Sequence, residues 1–329
     1  MSPHSRDHRL KVSRRSLLRG SATLGAAASI AGRFSSSTPA VAAANGAETT
    51  EIAPGIFVHR GQHALIDAEN LGDIANTSFV IGKDAVAVID TGGSARVGQV
   101  LRRAIQAITD RPIRYVINTH MHPDHVLGNA AFEADKAEFI AHHKMARGLS
   151  ARAERFLSRT QEQIGDDAFE GTKIILPTRV VDTSLTIDLG GRALNLVARS
   201  TAHTDNDLTI FDTQTETLFL GDLLFSEHVP TLDGSIVGWL KLIPILRSEA
   251  AQRVVPGHGP VAMAWPDALA PLEFYWSLIA RDVRTAIQDG MTLSEATATV
   301  GQSERSKWQV FDEHHVRNVT AAFAELEWE

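Results

Sequence analysis

The 329-residue sequence predicts an α/β (α+β) fold in which two mixed β-sheets face each other and helices cover their outer sides. Three observations support this class. Short apolar strands and amphipathic helices follow one another in two successive rounds along the chain. Residues 85–118 read as strand, helix and strand, a β-α-β unit that brings parallel pairing into one sheet. Hydrophobic residues make up 43% of the chain, which is enough to fill a core between two sheets.

Residues 1–44 are predicted to be a twin-arginine signal peptide rather than part of this domain. The sequence Ser-Arg-Arg-Ser-Leu-Leu at 13–18 has the twin-arginine pattern. The Ala- and Gly-rich run at 20–32 is too short to span a membrane. Ala-Val-Ala at 40–42 provides the small residues that a signal peptidase requires. We therefore expect a periplasmic protein without a membrane span, whose domain occupies residues 45–329.

The first part of the domain is predicted to alternate strands with one helix. Apolar runs indicate strands at 55–59, 77–82 and 85–90. Ser94 then caps a helix, because apolar residues recur behind it at helical spacing, at Val97, Val100, Leu101, Ile105 and Ile108. Pro112 ends this helix, and residues 113–118 form the next strand.

The second part repeats the plan after a helical surface insertion at 144–170. Strands are expected at 180–181, 185–189, 194–198, 208–211 and 218–220, and helices at 272–287, 293–300 and 316–326. The stretch 226–247 mixes proline and glycine with apolar residues, so we expect a long loop there, near the site. Together with the loop 63–75 it is predicted to shape the pocket.

The composition restricts the chemistry that the chain can support. There is no cysteine, so a metal ion has to be held by imidazole and carboxylate groups. The net charge of −7 is mild and argues against nucleic-acid binding, which needs a concentrated basic face. Fourteen histidines are present, and their spacing carries most of the functional information.

Four candidate metal ligands lie within six residues, directly after an apolar strand: His120, His122, Asp124 and His125. An extended backbone sends alternate side chains the same way, so His120 and His122 can converge on one ion. Pro123 forces a turn, which lets the next two ligands face a neighbouring position. These donors suit zinc, and also iron or manganese.

One short motif cannot fill two coordination spheres, so further ligands are required. Three candidates lie beside later strands: His203, Asp222 and His258. Gly221 is expected to let the backbone at Asp222 approach the metal ions. Glycines and prolines on both sides of His258 predict a tight, rigid turn.

These motifs, in this order, resemble those of the metallo-β-lactamase fold superfamily, and the resemblance extends from Asp90 to His258. It implies a four-layer αββα sandwich and a two-metal site. By this resemblance His120, His122 and His203 bind the first metal ion, Asp124, His125 and His258 bind the second, and Asp222 bridges both. Asp90 matches the family's structural aspartate, which is expected to brace the ligand loop without touching metal.

The predicted reaction is hydrolysis by a hydroxide that bridges two zinc ions, with cleavage of an ester, thioester, lactone or amide bond. Asp124 is the predicted catalytic residue, because it would orient this hydroxide. Asp222 and the lack of cysteine indicate the glyoxalase-II-like side of the superfamily, while a metallo-β-lactamase remains an alternative. A dioxygenase with a single iron at His120, His122, His203 and Asp222, acting on sulfur compounds, is another. A non-catalytic protein that binds a cofactor or sulfur compound is the third.

The branch that this chain most resembles is the exported zinc metallohydrolases associated with periplasmic quinoprotein systems. The resemblance rests on the twin-arginine start, on the stretch 121–129 and on the loop 228–234. It implies a quinoprotein system as a partner and a small molecule as the substrate.

The remaining histidines and the two tyrosines are expected to lie mostly outside the site. His63 and His228 are candidates for substrate contact. His142 and His143 are predicted at the end of a strand, His59 on a strand surface, and His314 and His315 in a solvated helical tail. Tyr115 and Tyr275 have no obvious cleft position.

Overall fold

The computed structural model describes residues 47–329. The predicted signal peptide, residues 1–44, lies outside the described residues. Within these residues no helix is long and apolar enough to cross a lipid bilayer.

The first sheet has seven strands, paired in the order in which they occur along the chain. They are β1 Thr50–Ala53, β2 Ile56–His59, β3 Thr77–Ile81, β4 Val86–Ile89, β5 Ile113–Ile117, β6 Glu138–His142 and β7 Arg179–Val181. Strands β1 to β4 pair antiparallel, and β4 to β7 pair parallel. The parallel half confirms the β-α-β unit predicted over 85–118.

The second sheet has six strands in the order β13-β12-β11-β10-β9-β8. They are β8 Ser184–Asp188, β9 Ala193–Ala198, β10 Leu208–Asp212, β11 Thr217–Phe225, β12 Arg253–His258 and β13 Met263–Ala264. All neighbours pair antiparallel except β11 and β12, which pair parallel. The carboxyl ends of β11 and β12 therefore reach the same edge of the sheet.

Eight α-helices accompany the two sheets in the described part of the chain. They are α1 Ala95–Ile108, α2 Pro123–Val126, α3 Met145–Ile164, α4 Asp166–Phe169, α5 Ile236–Arg247, α6 Ala270–Gln288, α7 Leu293–Thr299 and α8 Phe311–Leu326. Three 3-10 helices, Leu127–Asp135, Asp267–Leu269 and Gln302–Lys307, complete the connections.

The packing of the core produces four layers. Alternate residues of β4 illustrate this, because Val86 and Val88 pack against α1 while Ala87 and Ile89 face the second sheet. Residues of both sheets meet in one central cluster. The outer face of the second sheet packs against α5, α6 and α8. The αββα sandwich predicted from the resemblance is confirmed.

One prediction was wrong: residues 226–247 are not a continuous loop. The second half forms α5, because Ser235 accepts a hydrogen bond from the backbone N–H of Gly238 and caps the helix. Buried side chains at Trp239, Leu242 and Leu246 recur at helical spacing and pack on the second sheet. Pro244 lies in the last turn of α5 and does not end the helix. Helix α8 also begins earlier than predicted, at Phe311.

Candidate metal centre

Four of the predicted ligands come from the segment that follows β5. His120 and His122 lie in the turn after the strand, while Asp124 and His125 belong to α2. Pro123 is the first residue of that helix, where its missing N–H leaves no helical hydrogen bond unmade. The turn therefore divides the motif into two pairs of ligands, as the sequence predicts.

The other three predicted ligands come from the second sheet. His203 lies in the connection between β9 and β10, Asp222 lies within β11, and His258 is the last residue of β12. The parallel pairing of β11 with β12 brings Phe225 opposite His258, so this end of β12 lies beside Asp222. The site thus forms where one edge of each sheet meets the other.

The first group of possible ligands is His120, His122, His203 and Asp222. The inner nitrogens of the three histidines form a nearly equilateral triangle with sides of 3.1, 3.2 and 3.0 Å. An ion with tetrahedral bonds of about 2.0–2.1 Å to nitrogen would hold these atoms about 3.3 Å apart. Oδ2 of Asp222 lies 3.3 Å from Nε2 of His203 and can provide a fourth ligand.

The second group consists of Asp124, His125 and His258. Oδ2 of Asp124 lies 3.6 Å from Nε2 of His125 and 3.3 Å from Nε2 of His258. Oδ1 of Asp222 faces the same two nitrogens, at 3.2 and 3.4 Å. Asp222 therefore directs one carboxylate oxygen to each group, the arrangement expected of a bridging ligand.

Each of the five histidines has its outer ring nitrogen beside a hydrogen-bond acceptor. The acceptors are Thr119 Oγ1 for His120, Asp233 Oδ2 for His122, Asp90 Oδ2 for His125, Thr231 O for His203 and Ile74 O for His258. Thr119 accepts because its own hydroxyl donates to Asp90. The outer nitrogens must donate, so each ring, when neutral, presents a lone pair on its inner nitrogen. Five lone pairs and two carboxylates then point at the same two places.

The protein itself does not satisfy these inward-facing atoms. Nε2 of His125 and Oδ1 of Asp222 are buried and have no hydrogen-bond partner, although they lie 3.2 Å apart. Leaving two such buried polar atoms unpaired is costly unless another group binds them. A pair of metal cations would satisfy both atoms, so the residues present fit the predicted cofactor.

The surroundings shift the pKa of a histidine downward in the first group and upward in the second, as His203 and His258 show. Burial lowers the pKa of His203 to about 4, so this imidazole is neutral, as ligation requires. Burial acts in the same direction on His258, but the charge of Asp222 outweighs it and raises the pKa of His258 to about 9. Burial would raise the pKa of Asp124, yet His125 and His258 hold it well below its usual range. The negative charges of Asp124 and Asp222 thus favour the binding of a cation between these side chains.

Asp90 lies where the resemblance predicts, beneath the ligand turn and outside both metal groups. Its Oδ1 accepts the backbone N–H of Thr119 at 2.8 Å, and its Oδ2 accepts from the Thr119 hydroxyl and from Nδ1 of His125. The residue has a φ of 56°, in the left-handed region. Gly221 plays a different part from the one expected, because a Cβ there would lie 2.5 Å from Oγ1 of Thr119. The absence of a side chain at Gly221 leaves space for Thr119 in the turn that holds the ligands.

A cavity of about 190 Å³ opens over the second group and contains Asp124, Asp222 and His258 in its wall. As predicted, the loop 63–75 contributes to it, through Ala64, Leu65, Ile66 and Ile74. The segment 226–235 adds His228, Thr231, Leu232 and Asp233, and α3 and α8 add most of the rest. The site is therefore accessible to a small molecule.

Several predictions about the other histidines need correction. His315 is buried, with its Nδ1 beside the Tyr275 hydroxyl and its Nε2 bonded to Val300 O. His314 is not solvated either, since it lines the cavity. Of the two candidates for substrate contact, His228 lines the cavity, whereas His63 packs edge-on against His228 behind the wall. The early start of α8 explains both errors, because it brings the two histidines onto a packed helix.

His59, His142 and the two tyrosines lie outside the cavity wall. His59 is not a simple strand surface residue: its Nε2 lies 2.8 Å from Asp73 Oδ1. His142 is the last residue of β6, as predicted. Tyr275 is buried outside the cavity wall, and Tyr115 lies in β5.

Two functional features escaped the sequence analysis. Asp233 accepts a hydrogen bond from Nε2 of His122, a contact that its place in the loop 228–234 does not reveal. Helix α3 directs three arginines, Arg152, Arg155 and Arg159, into the cavity wall. Their spacing of three and four residues was visible in the sequence and indicates one helix face.

Comparison with known proteins agrees with this fold and site. Residues 71–272 match the family described as Metallo-beta-lactamase superfamily. A curated relative, Beta-lactamase-like protein 2 homolog of Caenorhabditis elegans, is 25% identical over 188 residues, 56% of this chain and 56% of the relative. The chain thus spans little more than half the length of that relative.

Two solved structures show the same fold at low sequence identity. The stereoselective inverting sec-alkylsulfatase from Pseudomonas sp. has a TM-score of 0.64 at 17% identity, over 85% of this chain and 50% of its own. The metallo-beta-lactamase from Pontibacter korlensis has a TM-score of 0.55 at 20% identity, over 70% of this chain and 98% of its own.

The fold and the cluster of histidine and aspartate side chains define an αββα protein with a candidate metal centre. The chain belongs to the metallo-beta-lactamase superfamily.

Proposed function

We propose that this protein hydrolyses an ester, thioester, lactone or amide bond with two zinc ions held by the seven residues of the two groups. The observation that carries the proposal is the position of Asp222. One of its oxygens faces His203 at 3.3 Å and the other faces His125 at 3.2 Å, so a single carboxylate joins both groups. A carboxylate shared in this way can bind two cations at once, one in each group.

When bound, the two ions would activate a water molecule as the nucleophile and polarise the oxygen of the attacked bond. The residues of the chain supply orientation. Asp124 lines the cavity, and its Oδ2 lies 3.3 Å from Nε2 of His258 in the second group. Its low pKa keeps it ionised, which suits a carboxylate that accepts a hydrogen bond from water and holds it in place. We therefore assign Asp124 to positioning the nucleophile.

Zinc is the proposed metal because the donors are five imidazoles and two carboxylates. This set has no thiolate, and the triangle of three nitrogens suits tetrahedral coordination. Iron and manganese accept the same donors, so the metal content of the purified protein decides between them.

The two alternative reactions make different demands on the site. A dioxygenase with a single iron needs only His120, His122, His203 and Asp222, and it would leave Asp124, His125 and His258 without a role. The complete second group favours hydrolysis. A β-lactamase activity needs the same ions, so β-lactams belong in the substrate panel.

Metal analysis and a hydrolysis screen test the proposal together. Protein loaded with zinc should contain two equivalents and hydrolyse at least one of a panel of esters, thioesters, lactones, amides and β-lactams, and a chelator should abolish the rate. His122→Ala and Asp222→Ala should each hold fewer than two equivalents. His143→Ala is the matched control, because His143 stacks on His142 and faces the backbone of Val181, outside both metal groups. Two full equivalents in either site variant would refute the assignment.

Oxygen consumption with an iron-loaded sample, in the absence of hydrolysis, would favour the dioxygenase. No turnover above free zinc with any substrate would favour a binding protein.

We also propose export to the periplasm and a link to a quinoprotein system. The support is the twin-arginine pattern at 13–18 and the resemblance described above. Changing Arg14 and Arg15 to lysine should retain the protein in the cytoplasm of a bacterial host, as shown by cell fractionation. Equal periplasmic amounts of the variant and the parent protein would contradict export by this route.

A further inference from the structure

Helix α3 presents one continuous face to the cavity beside the metal centre. Six of its residues line the cavity: Arg152, Arg155, Phe156, Arg159, Thr160 and Gln163. Their spacing of three and four positions places them on a single side of the helix. The acidic residues of this helix, Glu154 and Glu162, are absent from the cavity wall. The face that looks toward the site is therefore cationic.

The three arginines of this face differ in their partners. Arg152 donates to Oδ2 of Asp233, which also binds His122, so Arg152 belongs to the support of the metal ligands. The guanidinium groups of Arg155 and Arg159 have no hydrogen bond or ion pair with any described residue. Both are exposed at the cavity wall and are free to bind a ligand.

Arg317 on α8 contributes another guanidinium to the same cavity. It too has no ion pair among residues 47–329. The carboxylates in the wall are Asp124, Asp222 and Asp233, and the structure already engages all three: the first two among the metal groups and the third with Arg152. No acidic group in the wall therefore neutralises the free arginines.

We propose that the substrate carries an anionic group, such as a carboxylate, sulfonate or phosphate, that binds Arg155, Arg159 and Arg317 while its scissile bond lies at the metal centre. This inference rests on the proposed hydrolysis and adds the class of substrate. A planar guanidinium offers paired N–H donors that match an oxyanion. The concentration of cations is notable because the whole chain has a net charge of −7.

The remainder of the wall indicates an apolar part in the same substrate. Leu65, Ile66 and Phe156 line the cavity together with the arginines. A small acyl or alkyl compound with an anionic end would bury its hydrocarbon against these side chains and place its charge on the helix face.

A matched pair of substrates tests the inference. The para-nitrophenyl monoester of glutarate has a free carboxylate, whereas para-nitrophenyl pentanoate has none and is similar in length. We expect the zinc-loaded protein to prefer the anionic ester in kcat/KM, and added salt to reduce the rate only for that ester. Arg155→Gln combined with Arg159→Gln should reduce this preference roughly tenfold, mainly through KM, and leave the neutral ester unaffected.

Arg281→Gln combined with Arg284→Gln is the matched control, because both arginines lie on α6 outside the cavity wall and the change removes the same two positive charges. An unchanged preference in the double variant, or an equal loss for both esters, would overturn the inference. Replacing the glutarate carboxylate by a sulfonate or a phosphate shows which anion fits best.

A binding measurement separates this inference from the proposed function. Glutarate and pentanoate are titrated into the zinc-loaded protein by calorimetry, and glutarate should bind more tightly only when Arg155 and Arg159 are present. If neither ester is hydrolysed but this difference is seen, ester hydrolysis fails and the anion site stands. If the esters are hydrolysed, and the parent protein and the double arginine variant bind glutarate equally, the anion site is disproved while ester hydrolysis stands.

Discussion

Gly257 lies directly against the carboxylate of Asp222, because a Cβ on Gly257 would be only 2.0 Å from Oδ1 of Asp222. The backbone of the neighbouring strand leaves no room for such a methyl group to move away, since the same Cβ would lie 2.7 Å from the carbonyl carbon of Gly221. Strand β12 thus has a glycine where the bridging carboxylate needs space.

The first prediction concerns this contact. Gly257→Ala should push the Asp222 side chain out of its position between the two groups and lower the zinc content below two equivalents. It should also destabilise the protein by about 1–3 kcal/mol, because the added methyl group meets a closely packed strand. Elemental analysis and thermal unfolding measure the two effects. Full zinc content in a folded variant would show that Asp222 does not need this space.

The second prediction tests Asp90 as a positioning residue. Asn tolerates the left-handed backbone at this position, so Asp90→Asn keeps the local geometry. Its amide has only one oxygen, so it cannot accept from the backbone N–H of Thr119 and also from the Thr119 hydroxyl and Nδ1 of His125. Either the ligand turn loses its support or the tautomer of His125 is no longer fixed. We expect the affinity for the second zinc ion to fall by roughly 10–100-fold, measured by competition with a chromogenic chelator.

Asp135→Asn is the control for Asp90→Asn, because Asp135 pairs with Arg102 on α1, away from the metal ligands. It should leave both zinc affinities unchanged. If Asp90→Asn also binds zinc like the parent protein, Asp90 supports only the backbone.

The third prediction concerns the buried ion pair of Arg192 and Asp212. Arg192 donates to both oxygens of Asp212 in the second sheet and to the carbonyls of Pro54 and Ile81 beside the first sheet. Arg192→Met leaves Asp212 charged and buried without its counter-ion, with only Thr215 still donating to it. We expect a loss of about 3–5 kcal/mol in the free energy of unfolding, measured with urea. The double variant with Asp212→Asn should recover part of this loss.

The same pair predicts a pH dependence. Burial would raise the pKa of Asp212, but the hydrogen bond from Arg192 holds it below its usual range. The pair therefore contributes stability that is present above the unfolded pKa of about 3.9 and is lost as the pH falls through the lower folded pKa. Unfolding curves at decreasing pH should show this loss in the parent protein. An identical acid profile in Arg192→Met would contradict it.

The fourth prediction assigns substrate contact to His314. Its ring lies 5.4 Å from that of His228, and both line the cavity. Burial lowers the pKa of His314 to about 4, so the ring is neutral at pH 7 and can donate one hydrogen bond. His314→Phe keeps the ring packing and removes the donor. KM should rise by about 2–10-fold with little change in kcat; a fall in kcat alone would indicate a different role.

The amino-acid sequence by itself determined the αββα architecture and the seven candidate ligands. The ligands were predictable because the first four lie within six residues of the chain, and the other three lie in or beside apolar strands in the order of the family.

Only the tertiary structure decided which side chains support and surround these ligands. Asp233 binds His122 across 111 positions of sequence, and Arg152 binds the same carboxylate across 81. Such contacts depend on how α3 and the segment before α5 approach each other over the edge of the sheets, and no local periodicity encodes that approach. The sharing of Asp222 between the two groups has the same origin, because it arises only where β11, β12 and the turn after β5 meet.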